Sequence, residues 1–308
     1  MFFTPFLALS KLIETFIFLH FKGMENCEKP RVLITNDDGY LNGNIQALAR
    51  ALASVARVFV FAPETEQSGV GQAFTVRRGL KVEKICEEGE NSPYTMYSVS
   101  GTPADCAKFA LGHFAKFGLS QEHKGCPGVS SAVGEFDVCF SGINVGENSG
   151  VSSLYSGTVA GAREAALWGV PGVALSLRGC EGLLLQTAVD FAVRVVRDRL
   201  FENIAPGTFW NVNFPKVKPT EFKGFRSAVM AREMFTDHYS LVDAENCSGH
   251  KLWLLDGDKV WDKSPVDSDD YLLNQGYATI TPHRIDQTDA ESLKLIEKIK
   301  EKLAGGGC

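Results

Sequence analysis

Asp37 and Asp38 stand side by side in the run Thr35-Asn36-Asp37-Asp38-Gly39, with no lysine or arginine next to them. Adjacent carboxylates raise each other's pKa, and a bound cation relieves that repulsion. Asn, Asp and Gly also build tight turns, so a plain turn remains an open reading of this run by itself. Three further polar clusters are ambiguous in the same way. Pro63-Glu64-Thr65-Glu66-Gln67-Ser68-Gly69-Val70-Gly71 suits a loop that passes close to a ligand, or simply a Gly-Ser loop. Asn144, in the run 141–148, can offer a neutral oxygen ligand or an amide donor to phosphate, or cap a turn. Tyr155-Ser156-Gly157-Thr158 leads into the small-residue run 159–164. Amides at a helix start attract an anion, while Ser and Thr there are also ordinary caps.

The four clusters together supply carboxylate, hydroxyl and amide oxygens. Such hard donors suit magnesium or manganese over zinc or copper. The six histidines (20, 113, 123, 238, 250 and 283) show no ligand spacing and read as surface or packing residues. Neither G-x-S-x-G nor G-x-x-x-x-G-K-[ST] occurs. A hard cation beside a helix-borne anion site points to phosphoryl chemistry. D-x-D-x-[TV] is absent after the first apolar run, which disfavours a phosphoaspartate at Asp37.

Each cluster follows a run that reads as a strand. Strands are expected at 31–35, 55–62, 137–141, 172–177 and 209–214, the last being the final core strand. Apolar residues at helical spacing, or small residues, predict helices at 45–53, 103–114, 158–167 and 183–200. Continuous apolar strands alternating with helices imply a parallel sheet covered on both faces. Ligands then bind beyond the carboxyl ends of its strands, where the four clusters lie. From Pro215 the chain turns polar, and 216–282 reads as irregular hairpins and loops, followed by a helix at 289–303 and a frayed end. The expected fold is α/β: a Rossmann-like three-layer sandwich with a mostly parallel sheet and a C-terminal hairpin and helix extension for oligomerisation. Its core spans 30–215, the extension 216–288, and the terminal helix and tail 289–308.

Composition narrows the partners. The chain has 308 residues, 44% of them hydrophobic, and a net charge of −6 without a basic run of five or more, which argues against a nucleic acid polymer. None of the eight cysteines forms a C-x-x-C pair, and a disulfide framework belongs to smaller secreted chains, so a reducing, cytoplasmic location is expected. Residues 1–21 are rich in Phe, Leu and Ile, but Lys11 and Glu14 interrupt them. They fall short of the roughly 18 apolar residues of a membrane span, so no stable membrane insertion is expected. The ends do not fit a secretory signal, and the lack of arginine argues against a transit peptide. Met24 offers an alternative start that makes 1–29 an N-terminal extension; the competing reading is an amphipathic or weak targeting segment.

The ordered set Ile34-Thr35-Asn36-Asp37-Asp38-Gly39, Ala62-Pro63, Glu66-Gln67-Ser68-Gly69, Ser100-Gly101-Thr102-Pro103-Ala104-Asp105-Cys106, Ser141-Gly142-Ile143-Asn144 and Tyr155-Ser156-Gly157-Thr158 resembles the survival protein SurE family. The resemblance runs from about Arg31 to Thr288, dense to Leu177 and thin afterwards. It implies a metal-dependent nucleotidase acting on nucleoside 5′- and 3′-monophosphates, with some members acting on polyphosphate. It also implies one divalent metal, magnesium or manganese, per subunit, held by Asp37, Asp38, Ser68 and Asn144. Asp37 and Asp38 are then the catalytic pair, and Asn36, Ser156, Gly157 and Thr158 meet the phosphate. Members form homodimers or homotetramers by exchanging C-terminal segments. Three departures stand out: Asn42-Gly43-Asn44 for the usual Ala-Pro-Gly, His283 for the usual Leu after Thr-Pro, and an insertion at 121–134. The rival from another class is a non-catalytic nucleotide-binding module on the same fold. Retention of all four oxygen ligands favours the enzyme.

Overall fold

A computed structural model describes residues 29–119, 135–179, 182–232, 235–242, 251–260 and 264–304. The expected N-terminal extension, apart from Lys29, and the 121–134 insertion lie outside the described residues.

In chain order the elements are β1 (Arg31–Thr35), α1 (Gly43–Leu52), β2 (Arg57–Pro63), β3 (Val82–Cys86), β4 (Thr95–Val99) and α2 (Pro103–Phe109). A π-helical turn at Ala110–Phe114 prolongs α2. Next come β5 (Val138–Val145), α3 (Ser152–Tyr155), α4 (Gly157–Leu167), β6 (Gly172–Leu177), α5 (Leu185–Arg197) and β7 (Thr208–Phe214). The C-terminal part holds β8 (Phe225–Ser227), β9 (His238–Val242), β10 (Leu252–Asp256), α6 (Asp269–Asn274), β11 (Ala278–Arg284) and α7 (Ala290–Ala304).

Among the described residues the main sheet has nine strands in the order β3-β4-β2-β1-β5-β6-β7-β11-β8. The block from β4 to β7 is wholly parallel. Side-chain alternation explains the two helical layers. Val32 and Ile34 of β1 join Ile45, Leu48 and Leu52 of α1 and Ala188 and Val195 of α5 in one apolar cluster. Leu33 faces the other way, packing with Phe59 and Phe61 of β2 and Cys106, Ala107 and Ala110 from α2 and its π-turn. Helix α4 lies on this second face, and its small residues let it come close. A Cβ on Gly161 would stand 2.6 Å from both Ser141 Oγ and Thr35 Cγ2.

The sheet is wound outward in two directions from β1, whose neighbours are β2 on one side and β5 on the other. Such a reversal opens a crevice beyond the carboxyl ends of the flanking strands. Asn36 to Asp38 follow β1, and Asn144 is the last residue but one of β5.

Two expectations are corrected. Strand β7 is not the last core strand, because β11 pairs antiparallel with it from Thr279↔Asn213 to Arg284↔Thr208. Pro282 makes 278–284 look unlike a sheet strand, yet only 278–280 pair with β8, so Pro282 lies beyond that ladder and next to an open side. Residues 216–282 are accordingly not all irregular, since they carry β8, α6 and part of β11 as well as the β9–β10 hairpin. Strands β3 and β4 also escaped the sequence reading. Strand β3 is an edge with charged Glu83 and Lys84 exposed, so it lacks an apolar pattern. Among the described residues no helix is long and apolar enough to cross a membrane.

Candidate functional site

The turn after β1 is fastened on three sides. Asn36 Nδ2 donates to Gly39 O at 2.9 Å. The Gln67 amide donates to Asp37 O at 2.7 Å, and the Tyr40 amide to Pro63 O at 3.0 Å. These bonds draw the loop after β2 alongside the acidic pair, bringing Glu66 and Ser68 to the crevice. Ser68 Oγ donates to Glu66 Oε1 at 2.6 Å. At the end of β5, Asn144 Nδ2 donates to Gly146 O at 2.8 Å, which leaves Asn144 Oδ1 open to a ligand. In the departure segment, Asn42 caps α1 by accepting from the Asn44 amide at 2.8 Å, and Asn44 Nδ2 donates to Ile143 O at 3.1 Å.

Asp37 is buried against the start of α4. The Thr158 amide donates to its Oδ2 at 3.0 Å, and the Thr158 hydroxyl to its Oδ1 at 2.5 Å. The Val159 amide is taken by the Ser156 hydroxyl at 3.1 Å, an ordinary N-cap. The helix start expected to offer its amides to phosphate therefore already holds a carboxylate of the chain itself. Gly157 permits that approach, since a Cβ there would lie 2.9 Å from Asp37 Cβ and 3.1 Å from Asp37 Oδ2. Gly157→Ala should shift α4 or Asp37 and cost about 1–3 kcal/mol, read as a fall of several degrees in Tm. An unchanged Tm would mean the contact is slack.

A cavity of about 540 Å³ opens at this place. Of the expected site residues, Asp37, Asp38, Ser68, Asn144 and Ser156 line it. Asn36, Gly157 and Thr158 do not; the last lies fully buried behind Asp37. Glu66, Glu147, Tyr155 and Phe235 also line it, and none of these had been given a role. Glu66 sits in a motif the sequence displayed, but Phe235 arrives from the C-terminal part by tertiary pairing and carried no local sign.

Four carboxylates line the cavity, and no lysine, arginine or histidine is among the described lining residues. Burial pushes the Asp37 carboxyl above the ordinary range, with the two Thr158 hydrogen bonds acting against it. Asp38 is pushed up to about 6, by burial first and then by the charges of Asp37 and Glu66. Its Oδ2 is buried without a hydrogen-bond partner, as is Asn36 Oδ1. A divalent cation fits this chemistry, because it would occupy the orphaned oxygen and cancel the repulsion. No cluster of three histidine, cysteine or carboxylate groups among the described residues is arranged to hold a metal. A cation here would therefore need hydroxyl and amide oxygens beside the aspartates. His283, one of the departures, stacks on Phe209 with centroids 5.2 Å apart, and burial holds it down to about 4.

Comparison with known proteins shows the family and the fold. The family profile described as survival protein SurE matches residues 32–237. A protein of Thermosipho africanus named 5′-nucleotidase SurE is 34% identical over 268 residues, covering 87% of this chain and 96% of its own length. One of Brevibacillus brevis with the same name is 36% identical over 278 residues, covering 87% and 95%. The crystal structure of the SurE protein from Aquifex aeolicus superposes with a TM-score of 0.70 at 29% identity, covering 88% of this chain and all of that one.

Proposed function

The chain belongs to the survival protein SurE family, and from that premise we propose that it is a nucleotide phosphomonoesterase, releasing phosphate from nucleoside monophosphates. The observation that carries the reading is the cavity's charge. Four carboxylates without a lining cation would repel a phosphate dianion, so such a substrate enters only together with a divalent metal.

Asp37, Asp38, Ser68 Oγ and Asn144 Oδ1 hold that metal, one magnesium or manganese per subunit. When bound, it supplies charge neutralisation at the phosphate oxygens and a more acidic water for in-line attack. Asp38 also orients the attacking water. Ser156 meets the phosphate, while Asn36, Gly157 and Thr158 act one step back by fixing the turn and seating the Asp37 carboxylate against α4. The partner chemistry extends to the chain itself. The β9–β10 hairpin exposes Tyr239, Leu241, Trp253 and Leu255, and α7 exposes Leu293, Ile296 and Leu303. Apolar surface of that kind is covered in a homodimer or homotetramer that exchanges C-terminal segments. Cys86, Cys106 and Cys139 are free thiols, in keeping with a cytoplasmic location.

The test is a phosphate-release screen over nucleoside 5′- and 3′-monophosphates and short polyphosphate, run with chelator and then with each metal. Phosphate release from nucleoside monophosphates should disappear in chelator and return with magnesium or manganese. Full activity after exhaustive chelation would exclude the metal-assisted reading. Ligand affinity without turnover under every metal would favour the binding-module alternative.

A further inference from the structure

We infer that Phe235, together with Tyr155, forms a stacking subsite for the nucleobase, so that the C-terminal part of the chain sets the enzyme's preference for nucleotides over other phosphomonoesters. This rests on the nucleotidase reading and deepens it. The cavity of about 540 Å³ is of the size that takes a whole small ligand rather than a phosphate group alone. Its chemistry is divided. The carboxylates come from the loops after β1, β2 and β5, whereas its aromatic rings come from α3 and from the segment before β9. Every nucleobase has a π-face, and aromatic side chains bind that face with little regard to base identity.

Phe235 is held at the rim by more than its own packing. It forms an antiparallel bridge with Lys259, and the next residue, Thr236, donates its amide to Asp258 O at 2.8 Å. The Lys259 ammonium lies 6.0 Å from the Phe235 ring centroid. It is itself buried and fixed, donating to Ser149 O at 2.9 Å, Ser149 Oγ at 3.1 Å and Asp270 Oδ1 at 2.7 Å. Ser149 follows Asn148, which lines the cavity. One buried lysine thus ties the ring-bearing segment to the wall of the site. A preset ring loses little conformational freedom when a base stacks on it. Tyr155 supplies a second ring, half-exposed, directly before the Ser156 cap of α4.

The experiment compares kcat/KM for adenosine 5′-monophosphate with kcat/KM for ribose 5-phosphate, which keeps the phosphate and sugar but lacks the base. The ratio of the two should fall roughly tenfold or more in Phe235→Ala and in Phe235→Leu, and be restored in Phe235→Tyr. Tyr155→Ala should lower it by a smaller factor. The leucine variant keeps apolar bulk, so a poorly folded alanine variant still leaves the comparison decisive. Equal loss on both substrates would make Phe235 a structural residue and overturn the proposal while leaving the nucleotidase reading intact. A parent enzyme that releases phosphate from ribose 5-phosphate but not from the nucleotide would overturn both.

Discussion

Asp38→Asn should lose on the order of a hundredfold or more in turnover, about 3 kcal/mol of barrier, while the metal-free protein becomes more stable. The two halves share one cause. Asp38 carries a buried oxygen without a partner, and its carboxyl is raised to about 6 by burial and by the neighbouring charges of Asp37 and Glu66. A carboxyl whose pKa is higher folded than unfolded binds more protons in the folded state. Its contribution to stability is then fully present below about pH 4 and is lost as the pH rises through about 6. Metal-free parent should accordingly lose stability across that window. The loss should be on the order of 1–2 kcal/mol once solvent screening of a half-buried group is allowed for. Asp38→Asn removes the charge and flattens that slope, so its metal-free Tm at pH 7 should exceed the parent's by a few degrees. Magnesium should raise the parent's Tm and leave the variant's nearly unmoved. Thermal melts with and without metal, beside phosphate-release assays, check all of this. Retained turnover in a folded Asp38→Asn protein would show that the acidic pair is only a turn.

Asp37→Asn is a less clean test than the sequence suggests. On charge alone it should fold well, since relieving repulsion offsets a lost hydrogen bond. The structure adds Thr158, whose amide must donate to Asp37 Oδ2 and whose hydroxyl donates to Oδ1. An asparagine offers only one acceptor oxygen, so one contact becomes donor against donor unless the hydroxyl turns round. Asp37→Asn should therefore lower stability as well as turnover, and a loss of activity there does not by itself identify a metal ligand.

This difference shows where the sequence was informative. The acidic turn, the Ser68 loop and Asn144 were legible because each follows an apolar strand and because ligands gather at strand ends in such sheets. What faces what was not legible. Ser156, Gly157 and Thr158 read as an anion site because the local pattern is that of any helix start; that an aspartate from β1 occupies it depends on α4 lying on β1 and β5. Asn211 and Asn213 stand two residues apart on buried β7. They grip Asn148 through its carbonyl and amide at 2.8 Å each, which fixes one wall of the cavity. Alternating asparagines on one face of a buried strand were a visible sign, since buried amides require partners. Phe235 had no such sign, because its place comes from pairing with Lys259.

Ending the chain after Val217 should abolish folding, not merely assembly. The sequence alone suggests a polar appendage whose loss would give monomers or aggregates. In the fold, the removed part includes β11, which pairs with β7 at six successive positions from Thr208 to Asn213. Without it β7 becomes an unpaired edge, open to pairing with other chains. The same cut removes Asp269, which accepts from the Gly150 amide at 2.8 Å, and Lys259, which holds Ser149. The loop beside the cavity would lose its anchors with them. Truncated protein should be aggregated and without measurable phosphate release. Assembly alone is addressed by a smaller excision. His238 and Asp256 pair with each other at the base of the β9–β10 hairpin, so joining them through a short glycine link removes 239–255 without parting the neighbouring backbone. That protein should fold, keep β11 on β7, and run as a smaller species than the parent in light scattering. A soluble, fully active monomer from the Val217 truncation would refute the structural role of β11. An excised protein that keeps the parent's mass would move the subunit contact away from the hairpin and towards α7, whose exposed Leu293, Ile296 and Leu303 are another apolar surface in the C-terminal part.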